Sequence, residues 1–511
     1  MYKERRGERM KKKLLAGILA LALCSTNMPL QTIFAEEFTS GNSDVVSEEE
    51  TPEIFTNEEQ EAAGETDEEL SVFSSEEVPE FNDAPDEAMA AAENEQAGEI
   101  DLADNDKVIN GVYTIRSAGD HKFTCSRETG NRIVVDGGNT SEQDNINIYL
   151  NKVNINTSTG PALRINVNVK ATVTIYLTGT NNLIAKNTWH AGLQKANTAS
   201  LIITTKVLDP TAGILNAHGS SDGDGAGIGG SNITINSCSV IASSKYGAGI
   251  GGNKQGAGSN ITINSASVTA SSTDGAGIGG GLYGDGSDII INSSSVTASS
   301  TNGAGIGGGE GNSCKNITIN NSSVTASSTN GAGIGGGKGG AGSNNITING
   351  GSVKASSVSG SPTNEGKEVY CCTIENPENA NVTIKTGTGS RVWDWKPVNH
   401  SSLDPDDTNL YVWLPKLEDN STKSNYMITL NPENGSESRT RNYSFDTVTN
   451  TFKAAQVVND FIFKSPVNLI YDGQPKEASL EFKFKPTHEN NRKISLVYYK
   501  GNYNDINENT Q

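Results

Sequence analysis

Sixteen residues, SSVTASSTNGAGIGGG, stand at Ser294–Gly309 and recur unchanged at Ser322–Gly337, 28 residues on. A period of roughly 20–50 residues marks a repeat architecture, in which each unit completes its core only by stacking on its neighbours. The finer motif is apolar–Thr–apolar–Asn. It reads ITIN from Ile233, Ile261, Ile317 and Ile346, and IIIN from Ile289, with looser relatives from Ile146, Val173, Leu201 and Val382. Successive spacings are 27, 28, 32, 28, 28, 28, 29 and 36, which predicts about nine units, regular in the middle and looser at the ends.

Each regular unit holds three short segments, for example Ile289–Ile291, Val296–Ala298 and Ala304–Ile306. Every one is apolar at its first and third positions, the alternation of a strand buried on one side. Three such strands cannot enclose a core alone. Stacked, they predict an all-β chain built as a right-handed three-sided parallel β-helix that rises about 4.8 Å per coil. A helical solenoid fits poorly, because Gly interrupts every unit and Thr, Ser and Asn are weak helix formers. The Asn that ends the first strand (Asn236, Asn264, Asn292, Asn320, Asn349) is expected at a corner, in left-handed geometry and stacked between coils. The glycines of GAGIGGG suit sharp corners. They also leave a face bare of outward side chains, on which a polymer could lie, although corner geometry alone would account for them.

The rest of the chain divides by composition. Basic residues ending in Lys11, Lys12 and Lys13 precede the apolar run Leu14–Leu23, and Ala35 offers a small residue for cleavage. Ten apolar residues are too few to span a bilayer, so residues 1–35 read as a signal peptide and the mature chain is expected to be secreted, without a transmembrane segment. Residues 36–107 carry 26 acidic side chains and one basic one, which predicts a disordered acidic linker. That linker accounts for the formal net charge of −21, and residues 108–511 are within one charge of neutral. Nothing in them would attract nucleic acid, and a monomer is expected. The coils are expected over 108–390, with residues 108–145 closing one end. A small aromatic-containing β module is expected over 391–458. The stretch FIFKSPVNLIYDGQPKEASLEFKF from Phe461 then reads as strand, turn, strand, and the chain stops at Gln511 with too few strands for a full sandwich. Cys125, Cys238, Cys314, Cys371 and Cys372 share no repeat register, which argues against a disulfide framework or a zinc site.

Catalysis finds little purchase in the regular coils. Between Gly225 and Ser357 the only acids are Asp274, Asp285, Asp288 and Glu310, with neither Arg nor His. A glycosidase needs two carboxylates across a groove, and Asp285 has Ala257 and Ser313 as its neighbours in register. Glu310 faces Lys338, an ion pair of small worth. The earlier coils hold His190, His218, Asp209, Asp222 and Asp224, with Arg164, Lys186 and Lys206, in no metal or nucleophile spacing. SSDGDGAG (Ser220–Gly227) is a single weak echo of Asp/Gly calcium repeats, which makes Asp222 and Asp224 the candidate metal ligands. One column is distinctive. The residue before each Gly-Ala-Gly-Ile corner or its variant is Trp189, Asp224, Tyr246, Asp274, Asn302 and Asn330 in turn. Aromatic rings beside acids and amides, two coils or about 10 Å apart, would suit a glycan chain. A corner tolerating assorted polar residues would look the same. The outward Thr234, Thr262, Thr318 and Thr347 could order water, but Ile290 interrupts them.

The units GAGIGGG…SNITINSASVTASS, preceded by INIYLNKVNINTSTGPALRINVN and ATVTIYLTGTNNLIA, resemble repetitive right-handed β-helix surface proteins of Gram-positive bacteria, the carbohydrate-binding-domain and pectate-lyase-like superfamily. The resemblance covers roughly Val108 to Gly389. The Tyr471-Asp472-Gly473 turn resembles the start of the small immunoglobulin-like modules on bacterial surface proteins. It implies a secreted or cell-surface protein that binds polysaccharide. Relatives that bind acidic polysaccharide through calcium use clustered aspartates, which the regular coils lack, so no cofactor is expected beyond a calcium ion at Asp222 and Asp224. The expectation is a non-catalytic carbohydrate-binding or adhesive module. A polysaccharide lyase or glycoside hydrolase and a purely structural spacer are the alternatives.

Overall fold

Period-two segments bury alternate side chains, and in the structure they bury them inside a parallel solenoid. The structure, a computed structural model, describes residues 98–137, 141–186, 189–206, 212–387, 389–395, 407–417, 425–454, 461–464 and 479–482. Residues 1–35, read above as a signal peptide, nearly all of the expected acidic linker and most of the expected C-terminal module lie outside the described residues. Among the described residues there is no α-helix.

The ITIN segments stack as a first face. Ile146, Val173, Leu201, Ile233, Ile261, Ile289, Ile317 and Ile346 are consecutive partners in one parallel ladder. The segments around Ser267–Ser272 and Ser295–Ser300 form a second face in the same register. A third is a stack of nine short strands, from Val112–Ile115 to Ile334–Gly335. Among the described residues, complete three-faced turns number about eight. The inward residues make one continuous core: Ile289, Ile291, Val296, Ala298, Ala304 and Ile306 are all at most 1% exposed. Each such buried aliphatic side chain contributes about 1.5–3 kcal/mol, and no unit could obtain that burial without its neighbours.

Two expectations shift at the ends. The ladder begins earlier than foreseen. Val112–Ile115 and Arg132–Val135 pair in parallel as coils of the third face, and Gly119–Thr124 pairs with Asn145–Asn151 on the first. The ninth motif, at Val382, is not a coil. Asn381–Thr386 pairs antiparallel with Arg391–Trp395 and Asn425–Asn431, within a separate sheet that starts at Lys367–Glu375 and ends at Thr451–Ala454. Its spacing of 36 was already the largest. Burial alternates there too, because strands covered on one side alternate whether parallel or antiparallel. This sheet docks on the last coil through Trp413, whose Nε1 donates to the Val353 carbonyl at 2.9 Å, and Tyr411, whose backbone N donates to Ser352 Oγ at 3.0 Å. Of the C-terminal module, only the antiparallel pair Phe461–Lys464 and Ser479–Phe482 is described.

The corners obey two local rules. The Asn column stacks as an amide ladder: Asn264, Asn292, Asn320 and Asn349 each donate from Nδ2 to the preceding Asn Oδ1, at 2.7–2.9 Å. Left-handed backbone falls one residue later, at Ser237, Ser265, Ser293 and Asn321 (φ 45–49°), which frees the amides to point along the axis. At the glycine corner a serine two residues beyond the second-face Ala caps a carbonyl of the preceding coil. Ser272, Ser300 and Ser328 Oγ donate to Gly247, Gly275 and Gly303 at 2.6–2.7 Å.

Candidate functional site

The six corner residues do share a register. Gly225, Gly247, Gly275, Gly303 and Gly331, which follow five of them, pack one on the next, and Gly225 lies against His190, the neighbour of Trp189. The column nevertheless splits in two. Asn302 Nδ2 donates to Asp274 Oδ1 at 2.5 Å, and Asn330 Nδ2 to Asn302 Oδ1 at 2.8 Å. These three satisfy one another along the axis, as the corner asparagines do.

Trp189, Asp224 and Tyr246 sit in a different setting. Trp189 is 55% exposed. Asp224 pairs with Lys254 Nζ at 3.2 Å, and Asp222 pairs with Lys245 Nζ at 3.4 Å. Both ammoniums also approach the Tyr246 ring, at 4.8 Å for Lys245 and 5.3 Å for Lys254 from its centroid. Contact with the Tyr246 hydroxyl, and then with the Asp222 carboxylate, raises the pKa of Lys245, so its charge is held.

Beside them opens a groove of about 570 Å³. It is made where second-face strands of successive coils end, since Ile184, His218 and Ser243 are partners in register. Lys186, His218, Ser220, Ser243, Lys245 and Thr273 line it. Ser243 Oγ and His218 Nδ1 share a hydrogen bond of 2.7 Å. Burial lowers the His218 pKa, which keeps the ring neutral at neutral pH. Lys245 belongs both to the groove wall and, through its neighbour Tyr246, to the corner column. Hydroxyls, two ammoniums and an imidazole facing a shallow trough can hydrogen-bond an oxygen-rich ligand. His218 and Lys186 were visible in the sequence, but nothing in their spacing joined them to Ser243. The signal was register: His218 occupies the place of the first Ser of the ASS triplet.

One expected feature does not materialise, and the surroundings of another do not favour it. The glycine corner is not a bare face open to a polymer. Every residue from Gly247 to Gly252 is buried, and a Cβ at Gly249 would stand 2.6 Å from the Gly277 carbonyl oxygen. The glycines are there because neighbouring coils approach too closely for side chains. Nor do Asp222 and Asp224 fit a calcium ion. Each faces a lysine ammonium where calcium would require further oxygen ligands, and among the described residues no three His, Cys, Asp or Glu side chains cluster for a metal. The five cysteines of the described residues are free thiols.

Five segments match the family described as beta helix repeat, at residues 233–254, 261–282, 289–310, 317–338 and 346–361. They are the regular coils. The match and the parallel ladder fit a right-handed β-helix protein. No curated protein and no solved structure matches the chain. Among the described residues no helix is long and apolar enough to cross a membrane.

Proposed function

We propose that this chain is a secreted or cell-surface, non-catalytic carbohydrate-binding or adhesive module that uses the Trp189–Tyr246 edge. The observation that carries the reading is the groove itself. It brings Lys186, His218, Ser243 and Lys245 together, and Lys245 joins it to the Tyr246 ring of the corner column, to which the exposed Trp189 also belongs. Aromatic faces take the C–H faces of sugar rings, and the hydroxyl and ammonium groups take their oxygens. Binding needs no cofactor, and the protein acts as a monomer.

The alternative is a polysaccharide lyase or glycoside hydrolase of the pectate-lyase-like type, for which His218, hydrogen-bonded to Ser243 at 2.7 Å, is the group in the groove able to take a proton. One assay separates the two. The whole chain is tested for retention on cellulose, chitin, xylan, polygalacturonate and peptidoglycan, with and without calcium, alongside Trp189→Ala and Tyr246→Ala. Retention on one polysaccharide, unaffected by calcium and lost in both variants, is the expected result. Release of reducing ends or unsaturated products would establish the enzyme instead. No retention on any member of the panel would leave the chain a structural spacer.

A further inference from the structure

A third aromatic residue on this edge, Tyr283, is exposed on left-handed backbone. Each regular coil carries a loop after its glycine corner, and Gln255, Tyr283, Gly311 and Gly339 occupy equivalent places in successive loops, 28 residues apart. All four have left-handed backbone, with φ of 63°, 61°, 86° and 76°. Glycine adopts that conformation freely, whereas for a bulky aromatic residue it is a true outlier. The ring is not buried in return: Tyr283 is 57% exposed. One side of its ring lies over Gly311 of the next loop, where a Cβ would come within 3.1 Å of Cδ1.

Leu282, the neighbour of Tyr283, donates its backbone N–H to the Tyr246 carbonyl at 2.7 Å. Lys254, the neighbour of Gln255 in the preceding loop, reaches the Tyr246 ring and Asp224. Tyr283 therefore extends the same edge by one coil. Its backbone is fixed at both ends: its N–H donates to the Glu310 carbonyl at 3.1 Å, and Asn312 Nδ2 donates to its carbonyl at 3.0 Å. The Tyr149–Tyr176 pair makes a useful contrast. Those rings stack on each other at 4.8 Å and 12°, with Lys206 Nζ 4.3 Å from the Tyr149 centroid, so they serve each other as a ladder does. Tyr283 has no such ring partner among the described residues.

We infer that Tyr283 is a binding residue that stacks on a pyranose ring of the glycan held at Trp189 and Tyr246, strained and exposed because the ligand needs it there. The inference rests on the carbohydrate-binding reading. Register supplies the variants: Tyr283→Gly, as at Gly311, and Tyr283→Gln, as at Gln255. Both place in the loop a residue that an adjacent coil already accepts. In the whole chain, each is expected to weaken retention on the polysaccharide bound by wild type by about tenfold or more. The melting temperature of Tyr283→Gly is expected to stay equal or rise, since the strain is gone. Unchanged retention by a folded Tyr283→Gln overturns the inference. So does a fall in melting temperature in both variants with retention intact, which would make Tyr283 a packing residue. If Trp189→Ala and Tyr246→Ala abolish binding while the Tyr283 variants do not, only this inference fails. If wild type binds none of the panel, both readings fail.

Discussion

Replacing Gly277 with alanine should damage the solenoid although its backbone does not require glycine's left-handed freedom. The alanine Cβ would stand 2.6 Å from the Gly305 carbonyl oxygen, 2.8 Å from Ser299 N and 3.0 Å from the Ala270 carbonyl oxygen. All three are backbone atoms, and none can rotate away. Gly277 N donates to Ala304 O and Ile278 N to Gly305 O, each at 3.0 Å, so relief means parting two hydrogen-bonded coils. Overpacking of this kind costs about 1–3 kcal/mol, and loosening one of those bonds adds about 0.5–1.5 kcal/mol. A loss of about 2–4 kcal/mol follows. Gly342→Ala is the control, because nothing lies within 4 Å of its Cβ position. It should be neutral or stabilise by up to about 1 kcal/mol through the unfolded chain. Urea unfolding of the whole chain, followed by far-ultraviolet circular dichroism, measures both. Repeat arrays can yield locally, so amide exchange at Gly277 and Ile278 provides the local readout. If Gly277→Ala stays within about 0.5 kcal/mol of wild type and those amides remain protected, close approach is not why the corner is glycine.

Asn292→Ala removes both an accepted and a donated ladder bond, at 2.7 and 2.8 Å, and should cost about 1–3 kcal/mol in urea unfolding. Asn349→Ala, which breaks one such bond at the end of the ladder, should cost about half as much. Ser300→Ala withdraws the donor from the Gly275 carbonyl and should lower the melting temperature, at a cost of about 1–3 kcal/mol. Lys195 gives a pH signature. It takes an inward place next to Ile165, is 4% exposed, and reaches the Ser231 carbonyl through space left by Gly230. Burial pushes its pKa down to about 8 from 10.5. Because the charged form is the one penalised, the cost is fully present below pH 8 and is relieved as pH rises towards 10.5, where the unfolded chain still holds the proton. The span corresponds to a gain on the order of 3 kcal/mol. Buried thiols such as Cys238 and Cys314, whose pKa values are raised, give the opposite slope. The measurement is therefore the difference between wild type and Lys195→Met, which should narrow from pH 8 to pH 10.

The core of the fold was legible because it is periodic. Ile289, Val296 and Ile306 announce their burial by position, and repetition at 28 residues sets their partners without any further information. What was not legible depends on the distance between backbones. Nothing in GAGIGGG distinguishes a glycine that leaves a surface bare from one that lets two coils touch, and Gly249 and Gly277 prove to be of the second kind. The corner residues share one register, which repetition alone supplies. The division of that column was hidden, because Asn302 and Asn330 look as available in sequence as Tyr246 does, and only the axial hydrogen bonds show that they are engaged. Val382 misled for the opposite reason: a buried antiparallel strand carries the same alternation as a coil.

The same periodicity explains where chemistry can and cannot gather. At a spacing of 28 outward residues meet in register and satisfy one another, mostly like on like: Asn on Asn along the ladder, with Glu310 on Lys338 at 3.5 Å as an opposite-charge exception and Ser300 capping the Gly275 carbonyl. Such ladders leave few groups free to meet a ligand. Along the corner column, however, Trp189 and Asp224 are 35 residues apart, and Asp224 and Tyr246 only 22. Those irregular turns put unlike residues in contact, with a histidine beside a serine, an aspartate beside a lysine, and a tyrosine beside two ammoniums. Tyr283 follows the same logic inside the regular coils, as an aromatic ring where register offers Gln and Gly. The repeat thus determines the shape of the solenoid, and the departures from the repeat determine which parts of its surface are chemically distinct.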